Sequence, residues 1–280
     1  MESIFRTIRH LIVGAAATAA IGVPLWFVIT AFGGKYGLWT PLEAFRHVLM
    51  TAGLPGFGGG FLLPLTAGLG LAALIVAVVF RLVFGAKNAP GPGGYVAGVA
   101  ALAVGLAPMG MIAAAAGSRG EIPPIHDIST DTQNPPQFTA SLIERREQDG
   151  ARNSVDYASK TNPADGRPLP EVQAEAYPEV QPIMLPVTPD LAYQAALEVA
   201  REMGWTVSTA SESALMFEAT ATSFWFGFKD DIVVRVTPAE DESGARVDAR
   251  SVSRVGTSDL GANAARLEAF SENLRSSVTG

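Results

Sequence analysis

The sequence predicts an all-α membrane region of three transmembrane helices, followed by a soluble α+β domain ordered helix, four-stranded antiparallel sheet, helix. Three observations carry this. The first 120 residues hold three long apolar runs, uncharged apart from Arg81 near the end of the second. Net charge reverses between the two halves of the chain. From residue 188 onward, helical spacing gives way to strand alternation and then returns.

The apolar fraction is 48% and the charged fraction 17% over 280 residues, with a mean hydropathy of +0.25. Such a chain buries enough apolar surface to exclude disorder and fibrous repeats. There is no cysteine, which excludes disulfide scaffolds, thiol nucleophiles, thiolate zinc sites and cysteine-ligated iron–sulfur clusters. Residues 1–120 carry seven Lys and Arg against two acids, whereas residues 121–280 carry 13 against 25. A slightly basic apolar half joined to an acidic polar half reads as an anchor plus a water-soluble head.

The spans come first. Residues 11–32, 61–84 and 94–116 are each long enough to cross a hydrocarbon core of ~30 Å at ~1.5 Å per residue. A cleaved signal peptide competes for the first span, since Arg6 and Arg9 precede it and Ala15-Ala16-Ala17 resembles a cleavage site. Cutting there leaves too short an apolar stretch, so the span is read as retained. No acid, Lys or Arg lies mid-span. Ion and proton pathways need such groups, so the spans read as an anchor.

Between the first two spans, Thr40-Pro41-Leu42-Glu43 has the grammar of a helix start, with Leu42, Phe45 and Leu49 sharing one face. A short amphipathic helix at the interface fits. Gly56-Phe57-Gly58-Gly59-Gly60 lacks the Lys-Ser/Thr of a phosphate loop and reads as a hinge. Gly94 and Gly98 open the third span with a spacing that allows close helix approach. For orientation, Arg6, Arg9, Arg81 and Lys87 oppose Lys35, Arg46 and Arg119, and the first helix dominates. The N-terminus is expected in the cytoplasm and the acidic domain outside.

Residues 121–187 form a proline-rich linker or strap: Glu121–Asp190 holds 11 of the 19 prolines. Proline forces its predecessor into extended backbone. One short helix is expected at 138–148 and loop over 150–186.

The head proper is expected over 188–280. Thr188-Pro189-Asp190 starts a helix with Leu191, Ala195, Val199 and Met203 on its apolar face and Gly204 at its end. Strands are expected at 205–209, 215–222, 230–237 and 245–254 from their alternation. Phe217, Ala219, Ile232, Val234, Val236, Val247 and Ala249 should face the core. The other face, with Glu218, Arg235, Asp248 and Arg250, alternates in sign and reads as solvated and mutually paired. Leu260, Ala264, Leu267, Leu274 and Val278 mark a C-terminal helix capped by Ser258 or Asp259.

Three segments are familiar. Pro124-Ile125-His126-Asp127-Ile128-Ser129-Thr130-Asp131 with Asn134-Pro135-Pro136 comes first, then Glu218-Ala219-Thr220 through Phe224–Asp231, then Arg250 through Gly261. In this order they resemble the three motifs of the domain-of-unknown-function 1499 family, over roughly residues 121–275. The resemblance implies an envelope-associated protein, like bacterial members and plastid relatives of the family, and agrees with an outside location for the domain. With the spans and the Lys and Arg pattern, the expectation is a multi-pass protein of a bacterial inner membrane with a cytoplasmic N-terminus and a periplasmic C-terminal domain. The resemblance implies no activity, substrate or cofactor.

Candidate chemistry sits in three places. His126, Asp127 and Asp131 could hold a divalent metal or serve a metal-dependent hydrolase. Their position in proline-bounded extended chain, with no second His following, weakens that reading. Arg250 and Arg254 precede Ser258 at a helix start, where an anion could dock. The alternative there is Asp259 capping the helix and pairing with Arg254. Phe224, Trp225, Phe226 and Phe228 would, in a strand, put aromatics on the polar face, where they meet a partner or lie beneath residues 121–186.

The preferred expectation is a membrane-anchored binding or scaffolding module of the cell envelope, not an enzyme, with no cofactor. Its partners would be the lipid bilayer and an envelope protein, lipid or cell-wall component. A lipid-handling protein and the hydrolase are the alternatives. The head's negative charge excludes nucleic acid.

Overall fold

A computed structural model describes residues 2–52, 60–86, 89–118, 122–240 and 244–279. The chain divides into two compact units, Met1–Gly120 and Glu121–Gly280.

Among the described residues the first unit has four helices: α1 (Glu2–Lys35), α2 (Pro41–Ala52), α3 (Leu62–Phe84) and α4 (Pro92–Ser118). Three stretches, Ser3–Lys35, Leu62–Phe84 and Pro92–Met111, are long and apolar enough to cross a membrane. α2 starts where its grammar placed it. The Thr40 N–H and hydroxyl both donate to Glu43 Oε2 at 2.8 Å, and the Glu43 N–H donates back to Thr40 Oγ1 at 3.3 Å. The Gly56–Gly60 hinge lies largely outside the described residues.

Close packing of α3 on α4 depends on missing side chains. A Cβ on Gly70 would sit 2.4 Å from the Leu102 nitrogen, and one on Gly105 would sit 2.5 Å from that of Ala67. Gly98 packs on Leu74 across the same seam, whereas Gly94 turns toward Pro90. Ala16, Ala73 and Ala101 fill the centre, while Leu71, Ile75, Leu82 and Val99 face outward. Small residues inside and large apolar ones outside is the arrangement a bilayer favours.

The second unit is a six-stranded, wholly antiparallel sheet, not a four-stranded one. Its strands are β1 (Asp127–Ser129), β2 (Ile183–Leu185), β3 (Thr206–Ser211), β4 (Met216–Thr222), β5 (Lys229–Pro238) and β6 (Ala245–Ser253). The order is β1-β6-β5-β4-β3, and β2 also pairs with β6, beside Ala245–Val247, where β1 pairs with Arg250–Val252. The two additional strands come from the proline-rich segment. Pro123-Pro124 precedes one, and Pro182 and Pro186 flank the other. Proline is tolerated at strand ends, and three residues are too few to show an alternation. The same segment supplies α5 (Ala140–Gln148), within the helix expected at 138–148, and α6 (Leu169–Ala176), where loop was expected.

Helices α7 (Pro189–Glu202) and α8 (Ala262–Thr279) pack on one sheet face. There Phe217, Ile232, Val234, Val247 and Ala249 are fully buried, as their alternation requires. The face of α7 is rotated from expectation: Leu191 is exposed, and Ala192, Tyr193, Ala196 and Ala200 point inward beside Val199. Trp205 stacks on Phe270 at 5.1 Å and closes this layer.

α5 and its flanks cover the opposite face. Phe138 and Leu142 pack on Val233 and Val252. The sign-alternating face is therefore paired but not solvated: Glu218 and Arg250 are fully buried and Asp248 is 1% exposed.

Candidate functional site

The covered face is an ordered set of buried ion pairs. β1 places Asp127 opposite Val252, with Arg250 two residues along on the same side of β6. Arg250 Nε and Nη2 donate to the two Asp127 oxygens at 2.9 Å and 2.8 Å, and Lys160 adds a second cation on Oδ2. The guanidinium lies over the rings of Phe138 (5.2 Å) and Tyr157 (5.3 Å). It also donates to the Pro136 and Val155 carbonyls. Tyr157 in turn donates to Gln173 Oε1 at 2.8 Å, and Gln173 pairs both ways with the Ser129 backbone.

Asp231 on β5 repeats the scheme. Arg254 donates two bonds of 2.8 Å to its two oxygens, Arg146 from α5 joins Oδ2, and Thr220 donates to Oδ1 at 2.8 Å. Arg254 reaches on to Asp149, which also pairs with Lys229. Glu218 accepts from the Thr139 N–H (2.6 Å) and hydroxyl (2.8 Å), fixing the residue that caps α5. Burial alone would raise the Asp127 and Asp231 carboxyls. The bonds and charges of Arg250 and Lys160 on one, and of Arg254 and Arg146 on the other, hold both below the ordinary carboxylate value.

These positions settle where the sequence candidates sit. Asp127 is engaged by Arg250 and Lys160. Asp131 accepts from the Gln133 and Asn134 N–H groups and from Arg246 at 2.6 Å. His126 is turned to Thr257, its Nδ1 3.3 Å from that carbonyl. Among the described residues no three His, Asp or Glu side chains gather in a metal-holding group. Arg250 and Arg254 direct their guanidinium groups into Asp127 and Asp231, not toward Ser258. Asp259 starts α8 by accepting from the Gly261 and Asn263 N–H groups at 2.9 Å, and Ser258 accepts from the Leu260 N–H at 3.1 Å.

Two features face outward. The first is a pocket of about 210 Å³ whose polar lining is His126, Asp127, Lys160, Thr161 and Thr257, with Ile125 and Leu169 among its apolar walls. A carbonyl can only accept, so His126 Nδ1 carries the proton toward Thr257. Its Nε2 is buried with no partner among the described residues. Burial and the adjacent Lys160 charge push the ring below the ordinary histidine value.

The second is the loop joining β4 to β5. The aromatic run is not a strand, and its residues Phe226 and Phe228 are half-buried. Phe224 is 64% and Trp225 44% exposed, their rings edge to face at 5.1 Å. Thr222 pairs with Lys229 at the base. Above it the Ser223 N–H donates to the Phe228 carbonyl at 2.8 Å, and the Phe228 N–H donates to Ser223 Oγ at 2.9 Å. Gly227 takes a φ of +74°, a left-handed turn that a side chain would strain. The exposed pair thus tops a closed hairpin rooted beside the Asp231 cluster.

Sequence reasoning missed Lys160, Tyr157, Gln173, Asp231 and Arg146. Asp231 stood within the second of the three familiar segments, and Arg146 carried a positional signal. It lies four residues after Leu142, on the same helical face, yet its Glu-Arg-Arg-Glu setting reads as surface.

A search of the curated proteins finds no match to this chain. A family model described as protein of unknown function (DUF1499) matches residues 127–274. The three segments that carried the resemblance supply Asp127, then Glu218 and Asp231, then Arg250 and Arg254, and these meet on one covered sheet face. The match spans more than half of the 280 residues, and the chain belongs to the family of proteins of unknown function DUF1499.

Proposed function

We propose that the protein is a membrane-anchored binding module of the cell envelope, whose sheet domain engages a protein partner through the Phe224–Trp225 hairpin. One observation carries this: two large aromatic side chains stand exposed on a hairpin closed by its own hydrogen bonds. Aromatics held in a fixed geometry lose little conformational freedom on binding and dominate protein interfaces. The buried ion pairs beneath act as a rigid mount. A protein partner is favoured over an anionic lipid surface because the head carries 25 acids against 13 Lys and Arg, and such a surface repels it.

In this reading the three apolar helices are the anchor, Arg6 and Arg9 hold the N-terminus in the cytoplasm, and the head works in the periplasm. A reporter fused after Gly280 should be active only outside the cytoplasm. The interface is tested with Phe224→Ala/Trp225→Ala in the full chain. The expected result is loss of a discrete, stoichiometric complex on native gels of solubilised membranes, with the melting temperature of the head unchanged. A complex that survives the double substitution overturns the interface.

A further inference from the structure

The hairpin reading leaves the His126–Lys160 pocket without a role. Two cations, Arg250 and Lys160, serve the single carboxylate of Asp127. The neighbouring cluster again sets two, Arg146 and Arg254, on Asp231, and only Arg254 reaches a further acid, Asp149. The charged groups that act on His126 are Lys160, Asp127 and Arg146. Lys160, whose side chain is 13% exposed, thus shares its one paired carboxylate with Arg250 in the wall of the pocket. A cation held away from water that shares its counter-ion with a second cation favours a further anion beside it.

The remaining polar lining narrows the class of ligand. His126 Nε2 is buried and, among the described residues, has no donor, and a neutral imidazole nitrogen takes an O–H or N–H. Thr161 and Thr257 also line the pocket, and Ile125 and Leu169 give it apolar walls. At ~30 Å³ per water, 210 Å³ equals the room of about seven waters. That suits a small organic molecule and not a polymer.

We infer that this pocket binds a small hydroxyl-bearing oxyanion, its charged oxygens on Lys160 and a hydroxyl donating to His126 Nε2. A phosphorylated or carboxylated polyol has this chemistry. So does the glycerol-phosphate head group of an anionic lipid. The inference is independent of the hairpin.

The test uses the full chain, labelled with ¹⁵N-histidine, in phosphatidylcholine nanodiscs. The protein has three histidines, and His126→Phe assigns the relevant resonance. Glycerol phosphate is titrated at constant ionic strength. A saturable shift of the His126 Nε2 signal is expected, with affinity weakened about tenfold or more in Lys160→Met, the effect of removing one charge-assisted contact. Asp127 keeps both Arg250 bonds in that variant. His126→Phe, followed by thermal stabilisation, should bind about threefold or more weakly through loss of the neutral hydrogen bond. Nanodiscs containing phosphatidylglycerol separate the sources: a lipid head group shifts Nε2 before any glycerol phosphate is added, and a free ligand does not. If neither probe shifts Nε2, or if the shift is non-saturating and persists in Lys160→Met, the inference is overturned.

Discussion

Arg250 and Asp127, 123 positions apart in the chain, form a two-point ion pair in which both side chains are fully buried. This pair joins the β1 segment to β6 and gives the covered face its register. A buried pair is worth little against an apolar substitute, but removing one partner leaves a stranded charge. Asp127→Ala strands both Arg250 and Lys160 and should destabilise the head by about 3–5 kcal/mol. Arg250→Lys should not preserve stability, because a point charge cannot make two parallel bonds to a carboxylate. Thermal melts of the full chain followed by near-UV circular dichroism read both.

Glu218 holds the start of α5 through the Thr139 N–H and hydroxyl. Glu218→Ala leaves that N–H without its partner and should cost about 1–3 kcal/mol. The loss should be local. Amide exchange should accelerate across 139–148 and stay unchanged in α8, whereas uniform acceleration would contradict the capping role.

Acid should destabilise the head in two stages. The His126, Asp127 and Asp231 groups all titrate below their ordinary values in the folded chain. The unfolded chain therefore takes up protons first, and stability falls as pH falls. The histidine contribution is present above pH 6.5 and is lost below it, and the carboxylate contributions are lost below 3.8. Asp259, raised by burial, acts in the opposite sense and softens the second stage. In melting temperatures measured against pH, His126→Phe should remove the first stage and leave the second.

Within the membrane unit the α3–α4 seam should be intolerant of side chains. Gly105→Val places carbon 2.5 Å from the Ala67 nitrogen and 2.7 Å from the Leu63 carbonyl oxygen. Overpacking of this kind costs about 1–3 kcal/mol. It should lower the SDS concentration at which the chain unfolds. Gly14→Ala, with nothing within 4 Å, is the control and should not.

What was legible in the sequence follows from how each element buries its residues. β4, β5 and β6 alternate cleanly because one face meets two helices, and α8 shows its stripe because it packs on a single surface. β1 and β2 are three residues each and bounded by proline, so they lack the length in which a period can show. The Glu218, Asp248 and Arg250 face reads as exposed because alternating charge has one appearance in sequence whether water or a covering strap supplies the counter-ions. Arg146, Lys160 and Tyr157 arrive from that strap, and their pairing with β5 and β6 is a tertiary fact. The aromatic run falls between two expected strands, and nothing in Phe-Trp-Phe-Gly-Phe states that Ser223 and Phe228 bond across it to close a hairpin.

The reading of a module that binds through its hairpin is tested most directly by photocrosslinking in native membranes, with a benzophenone side chain replacing Trp225 in the full chain. The expected product is one discrete protein adduct of fixed mass, lost when Phe224 is also changed to Ala. Labelling of lipid alone, or no adduct while the head remains folded, would contradict it.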